Sequence, residues 1–375
     1  MSATGPGAGA LSRTPLHDLH LELGARMVPF AGHELPLHYR AGVLKEHLHC
    51  RAAAALFDVS HMGQVMLPAD AAEGLEALIP ADLIGLAAGR QRYGVFTDAQ
   101  GGILDDLMAA NLGDGWFLVV NAARRADDLA HLAAHLAGVR PLDDRALLAL
   151  QGPAAEAALA GLGAPVAQMR FMDIRRMDLA GVPAIVARSG YTGEDGFEIS
   201  LPAAEAEAVA RRLLAAPGVM PAGLGARDSL RIEAGLCLYG ADIDTTTSPV
   251  EAGLAWSIGR ARRRGGPRAG GFPGAERILA ELESGPARLR AGLRPEGRAP
   301  VRAGAALFDA PEGGAEVGRV TSGTFGPSLD APCAMGYVPA ALARPGTALG
   351  AELRGRRVRV TVAPLPFVKP GYKRA

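Results

Sequence analysis

The alternation of apolar and polar positions predicts short strands in hairpins, interleaved with amphipathic helices. Helical spacing of apolar residues predicts a helix over 16–23, with Thr14 as N-cap and Pro15 in its first turn. Further helices are expected at 43–56, 71–78, 122–136, 153–160, 203–214, 227–234 and 275–282. Residues 57–67 read as one strand, and a meander follows with strands at 93–97, 103–112 and 116–121. Strands are also expected at 147–150, 182–187 and 197–201. From about Arg288 the pattern changes to evenly spaced short strands at 305–308, 316–321, 334–337, 351–353 and 357–362, separated by Gly/Pro turns. That spacing predicts a small all-β barrel as a separate C-terminal domain. Residues 1–12 are expected to be disordered, and 259–274 to be a mobile, exposed loop crowded with Arg260, Arg262, Arg263, Arg264 and Arg268. No internal repeat is present.

Composition narrows the function classes. The chain has 375 residues, 49% hydrophobic and 21% charged, enough for two or three domains with a sizeable core. Basic and acidic residues balance at 39 each, which argues against nucleic acid or an anionic membrane as main partner. No window approaches the ~20 apolar residues that span a bilayer. Cys50, Cys237 and Cys333 are far apart, with no CxxC, as expected of free thiols in a reducing compartment. The N-terminal residues lack the basic start and apolar run of a signal peptide, so a cytoplasmic, bacterial protein is expected.

Three clusters could carry chemistry. The stretch from Arg188 to Glu198 packs three glycines, three carboxylates and Tyr191 between two strands. Glu194 and Asp195 read as the solvated tip of a hairpin. Glu198 falls inside a strand, where a carboxylate needs water or a donor partner, so Glu198 and Tyr191 read as site residues. In Gly101–Met108, Asp105 and Asp106 lie on opposite faces of an apolar strand, one beside Leu104 and Met108, the other beside Ile103 and Leu107. One of them aimed into a pocket could accept a substrate N–H or take its proton. In Gly225–Ala234, Asp228 can reach Arg231 at i,i+3, which leaves Arg227 free to hold an anion or carboxylate. His131 with His135, and His47 with His49 and Cys50, read as surface or core positions rather than metal ligands. There is no P-loop, no GxSxG elbow and no dinucleotide fingerprint.

Together these clusters resemble one family, the aminomethyltransferase or T-protein of the glycine cleavage system. Its signposts here are Phe30-Ala31-Gly32, Phe57-Asp58-Val59-Ser60-His61-Met62-Gly63, Gly101-Gly102-Ile103-Leu104-Asp105-Asp106 and Leu150-Gln151-Gly152-Pro153. They continue with Gly190-Tyr191-Thr192-Gly193-Glu194-Asp195-Gly196, Gly223-Leu224-Gly225-Ala226-Arg227-Asp228 and Thr321-Ser322-Gly323. The resemblance implies an α+β, three-domain cloverleaf of mixed and antiparallel sheets with helices, ending in a small C-terminal β-barrel. A folate-binding region at 13–280 would hold two intertwined α+β subdomains, the second at roughly 64–146, and the barrel would span 288–368. It further implies transfer of a methylene from an aminomethyl group on lipoylated H-protein to tetrahydrofolate, with release of ammonia and no metal or flavin. Asp106 would be the catalytic carboxylate facing folate N10. Glu198 would hold the pterin, Tyr93, Tyr191 and Asn121 would line the pocket, and Arg227 and Tyr372 would belong to the substrate-binding set. His33 stands where the family usually has Trp. The rivals are a folate-dependent demethylase acting on a free substrate, a flavin-bearing oxidoreductase of the sarcosine type, and a non-enzymatic iron–sulfur assembly factor. The last carries a Lys-Gly-Cys-Tyr-type motif where this chain has Gly271-Phe272-Pro273-Gly274-Ala275. Arg262–Arg264 are the expected docking patch for the acidic carrier protein.

Overall fold

The computed structural model describes residues 10–374. Its largest layer is a six-stranded sheet in the order Ile174–Leu179, Val182–Ala187, Gly196–Pro202, Arg145–Gln151, Ala54–Asp58, Val219–Pro221. All its neighbours are antiparallel except Val219–Pro221, which runs parallel to Ala54–Asp58. Helices cover both faces. On one side, helix Ala206–Leu214 buries Ala206, Val209, Ala210 and Leu213, the i, i+3, i+4, i+7 stripe of an amphipathic helix. On the other, helices Val43–Ala52 and Leu224–Glu233 pack on Phe57, Leu147 and Ala149. With both faces covered, Arg145–Gln151 reads as an unbroken apolar run rather than an alternating one.

A second sheet has the order Arg90–Thr97, Ile103–Asn111, Trp116–Val120, Gly63–Leu67, Arg140–Pro141. Helix Arg125–His135 packs against it through Leu132. A short three-stranded sheet joins Ser12–Arg13, His33–His38 and Arg26–Phe30. The C-terminal part is a closed six-stranded barrel of Arg288–Pro295, Ala331–Pro339, Glu316–Gly326, Ala306–Phe308, Ala348–Leu353 and Arg356–Ala363. The fold is α+β, with the expected barrel at its end.

Several expectations need correction. The expected disorder over 1–12 falls mostly outside the described residues, but Ser12 and Arg13 pair in parallel with His33 and Glu34. The helix expected to reach Leu56 stops at Ala52, and Ala54–Asp58 is a strand. Alanines favour a helix there, yet pairing on both sides with Val219–Pro221 and Leu148–Gln151 overrides propensity. The single strand expected at 57–67 is two, in different sheets. Asp58 Oδ1 accepts the Ser60 N–H at 2.9 Å, an Asx-type turn that releases the chain from one sheet to the other. The loop at 259–274 is neither exposed throughout nor free. Arg262 is buried and donates to the Glu76 carboxylate at 2.9 Å, and Arg268 to Glu76 and Asp82 at 2.7 and 2.6 Å. Arg263 binds the carbonyls of Ala255 and Ile258, and Arg264 pairs with Glu283. Of the expected patch, Arg262 is buried within the molecule, while Arg264 stays 58% exposed in a surface ion pair.

One close approach fixes the hairpin that carries Asp105 and Asp106. Ile103 N–H donates to the carbonyls of Asp244 and Thr247, and a Cβ at Gly102 would stand 1.9 Å from the Thr245 carbonyl oxygen. Only glycine fits. Gly102→Ala is therefore expected to cost about 1–3 kcal/mol or more through forced backbone displacement. Urea unfolding checks this, and an unchanged midpoint would contradict it.

Candidate active site

Asp106 is set by a β-bulge. Phe96 faces Asp105 and Thr97 faces Ile103, which leaves Leu104 as the extra residue. The bulge reverses the alternation before it. Ile103 joins Val95 and Tyr93 in one apolar cluster, while Leu104 packs with Phe96 and Leu107 in another. Val95 is the cross-strand partner of Asp106 and Met108 that of Tyr93, so Asp106 shares its face with Tyr93, Val95 and Ile103. Strict alternation would have put Leu104 there and Ile103 on the Asp105 side.

Two groups hold the Asp106 carboxylate. Tyr93 Oη donates to Oδ2 at 3.0 Å, and Asn121 Nδ2 donates to Oδ1 at 2.6 Å and to the Asp106 carbonyl at 3.1 Å. Burial, and next the negative charge of Asp105, push the Asp106 carboxyl up to about 7, against the lowering effect of the Tyr93 and Asn121 bonds. A carboxyl balanced near neutrality can exchange a proton in either direction.

The second sheet face comes from the loop between Val182–Ala187 and Gly196–Pro202. This loop is not a solvated tip. Arg188 is 1% exposed, bonds the Asp195 carboxylate through Nε at 3.0 Å and through Nη2, and donates to the Met169 carbonyl at 3.0 Å. Glu194 accepts from Arg51 at 3.0 Å. So Asp195 and Glu194 anchor the loop to the body of the protein. From this frame Tyr191 Oη donates to the Cys237 carbonyl, in the same cluster that holds Tyr93 and Ile103. Ser189 Oγ donates to Glu198 Oε2 at 2.7 Å, leaving the rest of that carboxylate available to a ligand donor.

Arg227 closes the group from helix Leu224–Glu233. Its guanidinium lies 4.7 Å from the Tyr191 ring centroid, a cation–π contact. Arg231 binds Asp228 and, at 2.5 Å, Asp242, as the i,i+3 spacing suggested for Asp228. Arg227 Nη1 is buried without a partner. Burial penalises its charge, with Tyr191 and Glu198 acting against that penalty. Asp106 and Arg227 both act on the Tyr191 hydroxyl, which burial raises strongly. Asp106, Tyr93, Tyr191, Asn121, Glu198 and Arg227 are all only half-buried, although desolvation dominates at Asp106, Tyr93, Tyr191 and Arg227. That combination describes groups held at the edge of the interior rather than on the open surface.

Tyr372 stands apart. It stacks on Phe171, with centroids 4.1 Å apart, and the adjacent Gly371 N–H binds the Gly193 carbonyl at 2.8 Å. Its charged neighbours are Arg374, Arg51 and Glu194. It backs the Tyr191 loop rather than joining the six.

Two features escaped the sequence reading. Trp256 is 61% exposed and lies against Tyr93 at 5.3 Å between centroids, an aromatic rim with no local motif to announce it. His61 is buried beside Arg227, its Nδ1 without a partner, and burial followed by Arg227's charge pushes it down to about 3. It is a neutral imidazole there. His33 sits 6.1 Å from the His61 ring, on the same side of the site.

Comparison with known proteins identifies the family. Residues 16–262 match the GCVT N-terminal domain and residues 288–369 the glycine cleavage T-protein C-terminal barrel domain. A mitochondrial aminomethyltransferase of Dictyostelium discoideum is 43% identical, over 97% of this chain and 94% of its own. The human mitochondrial aminomethyltransferase is 44% identical, over 96% of this chain and 91% of its own. The crystal structure of the glycine cleavage system aminomethyltransferase T from Bartonella henselae superposes with a TM-score of 0.91 at 45% identity, covering 97% of this chain and all of that one. With both halves matched in order and relatives aligned over nearly their full lengths, this chain belongs to the glycine cleavage T-protein family.

Proposed function

We propose that this chain is a tetrahydrofolate-dependent aminomethyltransferase, taking its methylene from an aminomethyl group on a lipoylated carrier protein. The observation that carries the residue-level reading is Asp106: a carboxyl brought near neutrality, held by Tyr93 and Asn121, and acting on the Tyr191 hydroxyl whose ring the Arg227 guanidinium covers.

In the reaction the C–N bond of the aminomethyl thioether breaks and ammonia leaves. Folate N5 forms a bond to the methylene carbon and gives up its proton. N10 forms the second bond and loses its proton as the carbon–sulfur bond breaks, and the freed sulfur takes up one proton to leave as the thiol of the carrier. Asp106 orients N10 and takes up the N10 proton. Glu198, an acceptor with Ser189 on one oxygen only, suits the N–H donors of a pterin. Arg227 Nη1 offers an open donor to a carbonyl or carboxylate. Alignment of two bound reactants can remove roughly 7–11 kcal/mol of barrier. Proton transfer adds a factor on the order of 10²–10⁴. Positioning therefore outweighs base catalysis in this reading. Tyr372 contributes by supporting the Tyr191 loop. A reducing compartment, the cytoplasm, is part of the same proposal, on the strength of three buried free thiols.

Glu198→Gln is expected to weaken tetrahydrofolate binding by about ten-fold or more, because a charge-assisted bond becomes a neutral one and the new amide N–H₂ opposes a ligand donor. Isothermal titration reads the effect. Unchanged affinity would remove Glu198 from the pterin site.

A further inference from the structure

Behind Asp106, on the opposite face of the same strand, a second carboxyl pair is buried. Asp105 is 0% exposed and Asp128, on helix Arg125–His135, is 2% exposed. The two carboxyls lie close enough to bear on each other's proton. Two ionised carboxylates so placed would each only accept, so a hydrogen bond between them needs a proton on one. Oδ2 of Asp128 meets no donor from any other described residue. Asp105 accepts from Asn121 instead, at Oδ1 from Nδ2 at 2.9 Å and at Oδ2 from the backbone N–H at 3.3 Å. The same Asn121 Nδ2 reaches Asp106 Oδ1. Asn121 lies just past Val120, the partner of Leu107, so its amide passes the edge of the strand and touches both faces.

We propose that Asp128 is a positioning residue: its carboxyl stays protonated and donates to Asp105, which then remains ionised and holds the Asn121 amide on the catalytic Asp106. The proton stays between the two buried oxygens and is not consumed in the reaction. This inference rests on the assignment of Asp106 to catalysis. Burial first, then Asp105, raise the Asp128 carboxyl up to about 9, so it keeps its proton at neutral pH. The groups that face the pair are Arg124, which favours ionisation, and Asp127, Asp106 and the Tyr239 hydroxyl. Arg124 is itself engaged by Asp127 at 2.6 Å and lies over the Tyr239 ring, so it does not neutralise Asp128 outright.

Two variants and one spectroscopic measurement test this. Asp128→Asn retains an N–H donor for Asp105, whereas Asp128→Ala does not. With Ala, the buried Asp105 takes up the proton itself. Asp106 then loses its negative neighbour, and the acid limb of kcat/KM shifts down by about one pH unit while kcat falls about ten-fold or more. With Asn, limb and kcat stay within about two-fold of wild type. Equal losses in both variants with an unmoved limb would mean a merely structural role and overturn the proposal. Infrared spectroscopy of the wild type reads the proton without any turnover. A protonated-carboxyl C=O stretch should persist between pH about 8 and about 9, above the range in which Asp106 holds its proton, and vanish in Asp128→Asn. Its absence from the wild type would overturn the proposal while leaving the assignment of Asp106 intact.

Discussion

Asp106→Asn is expected to abolish methylene transfer while tetrahydrofolate still binds. The amide is nearly isosteric. Its carbonyl oxygen can accept from Asn121 and its N–H₂ can donate to the Tyr93 oxygen, so the local frame survives. What is lost is a buried carboxyl on this face that can take a proton near neutral pH. If general-base help were the whole contribution, the loss would be on the order of 10²–10⁴-fold, and the misplaced N10 adds to it. Stability moves the other way. The folded carboxyl keeps its proton up to about 7, against 3.8 for an unperturbed Asp. The native state therefore binds more protons than the unfolded state between those values. The contribution of Asp106 to stability is full below about 3.8 and is lost as pH rises to about 7. Asp106→Asn should accordingly gain on wild type across that window and remain ahead above it. Turnover near the wild-type rate would remove Asp106 from the mechanism.

The largest expected loss of stability comes from Asp195→Ala. It strips the buried Arg188 of its bidentate partner and leaves Glu156 Oε2, at 2.6 Å and already shared with Lys373, as the remaining anion. Breaking such a pair on one side costs about 3–5 kcal/mol, because an uncompensated charge stays buried. The Arg188 carbonyl partners and its stacking 4.9 Å from the Phe197 centroid temper that toward the lower end. Replacing both ends by apolar residues, Arg188→Met with Asp195→Leu, should recover part of the loss. Urea unfolding of the three variants decides it. An Asp195→Ala midpoint equal to wild type would show that the pair does not hold the loop. Because Tyr191 and Glu198 hang on this loop, folate affinity should fall together with stability.

The carboxylates and arginines of the site were legible because each breaks a local rule. Glu198 and Asp106 are charges in strands, and Arg227 is the cation of its helix that Asp228 leaves free. Local strangeness was enough to find them, and the family resemblance supplied their roles. The bulge at Leu104 was not legible, since nothing in Gly102-Ile103-Leu104-Asp105 marks an extra residue. Its position depends on where the neighbouring strand is pinned by Asp244 and Thr247. The arginines of 259–274 looked like a solvated loop for want of nearby acids, but their partner Glu76 lies far back in sequence. Asp195 failed for the same reason in reverse. It looked exposed because its turn is polar, yet Arg188 folds back over it beneath Phe197. Hairpins and helices with regular spacing could be read from the chain. Long-range ion pairs, and the strand at Ala54–Asp58 that exists only through its neighbours, could not.

The central claim is that this site passes a methylene from a lipoyl-bound aminomethyl group to folate. The direct measurement mixes the pure protein with tetrahydrofolate and an aminomethylated, lipoylated carrier protein, and follows ammonia and methylenetetrahydrofolate together. The account predicts that both appear in equal amounts, that neither forms without the carrier, and that free methylated amines do not replace it. Methylenetetrahydrofolate formed from a free small amine at the same rate, with the carrier inert, would contradict it.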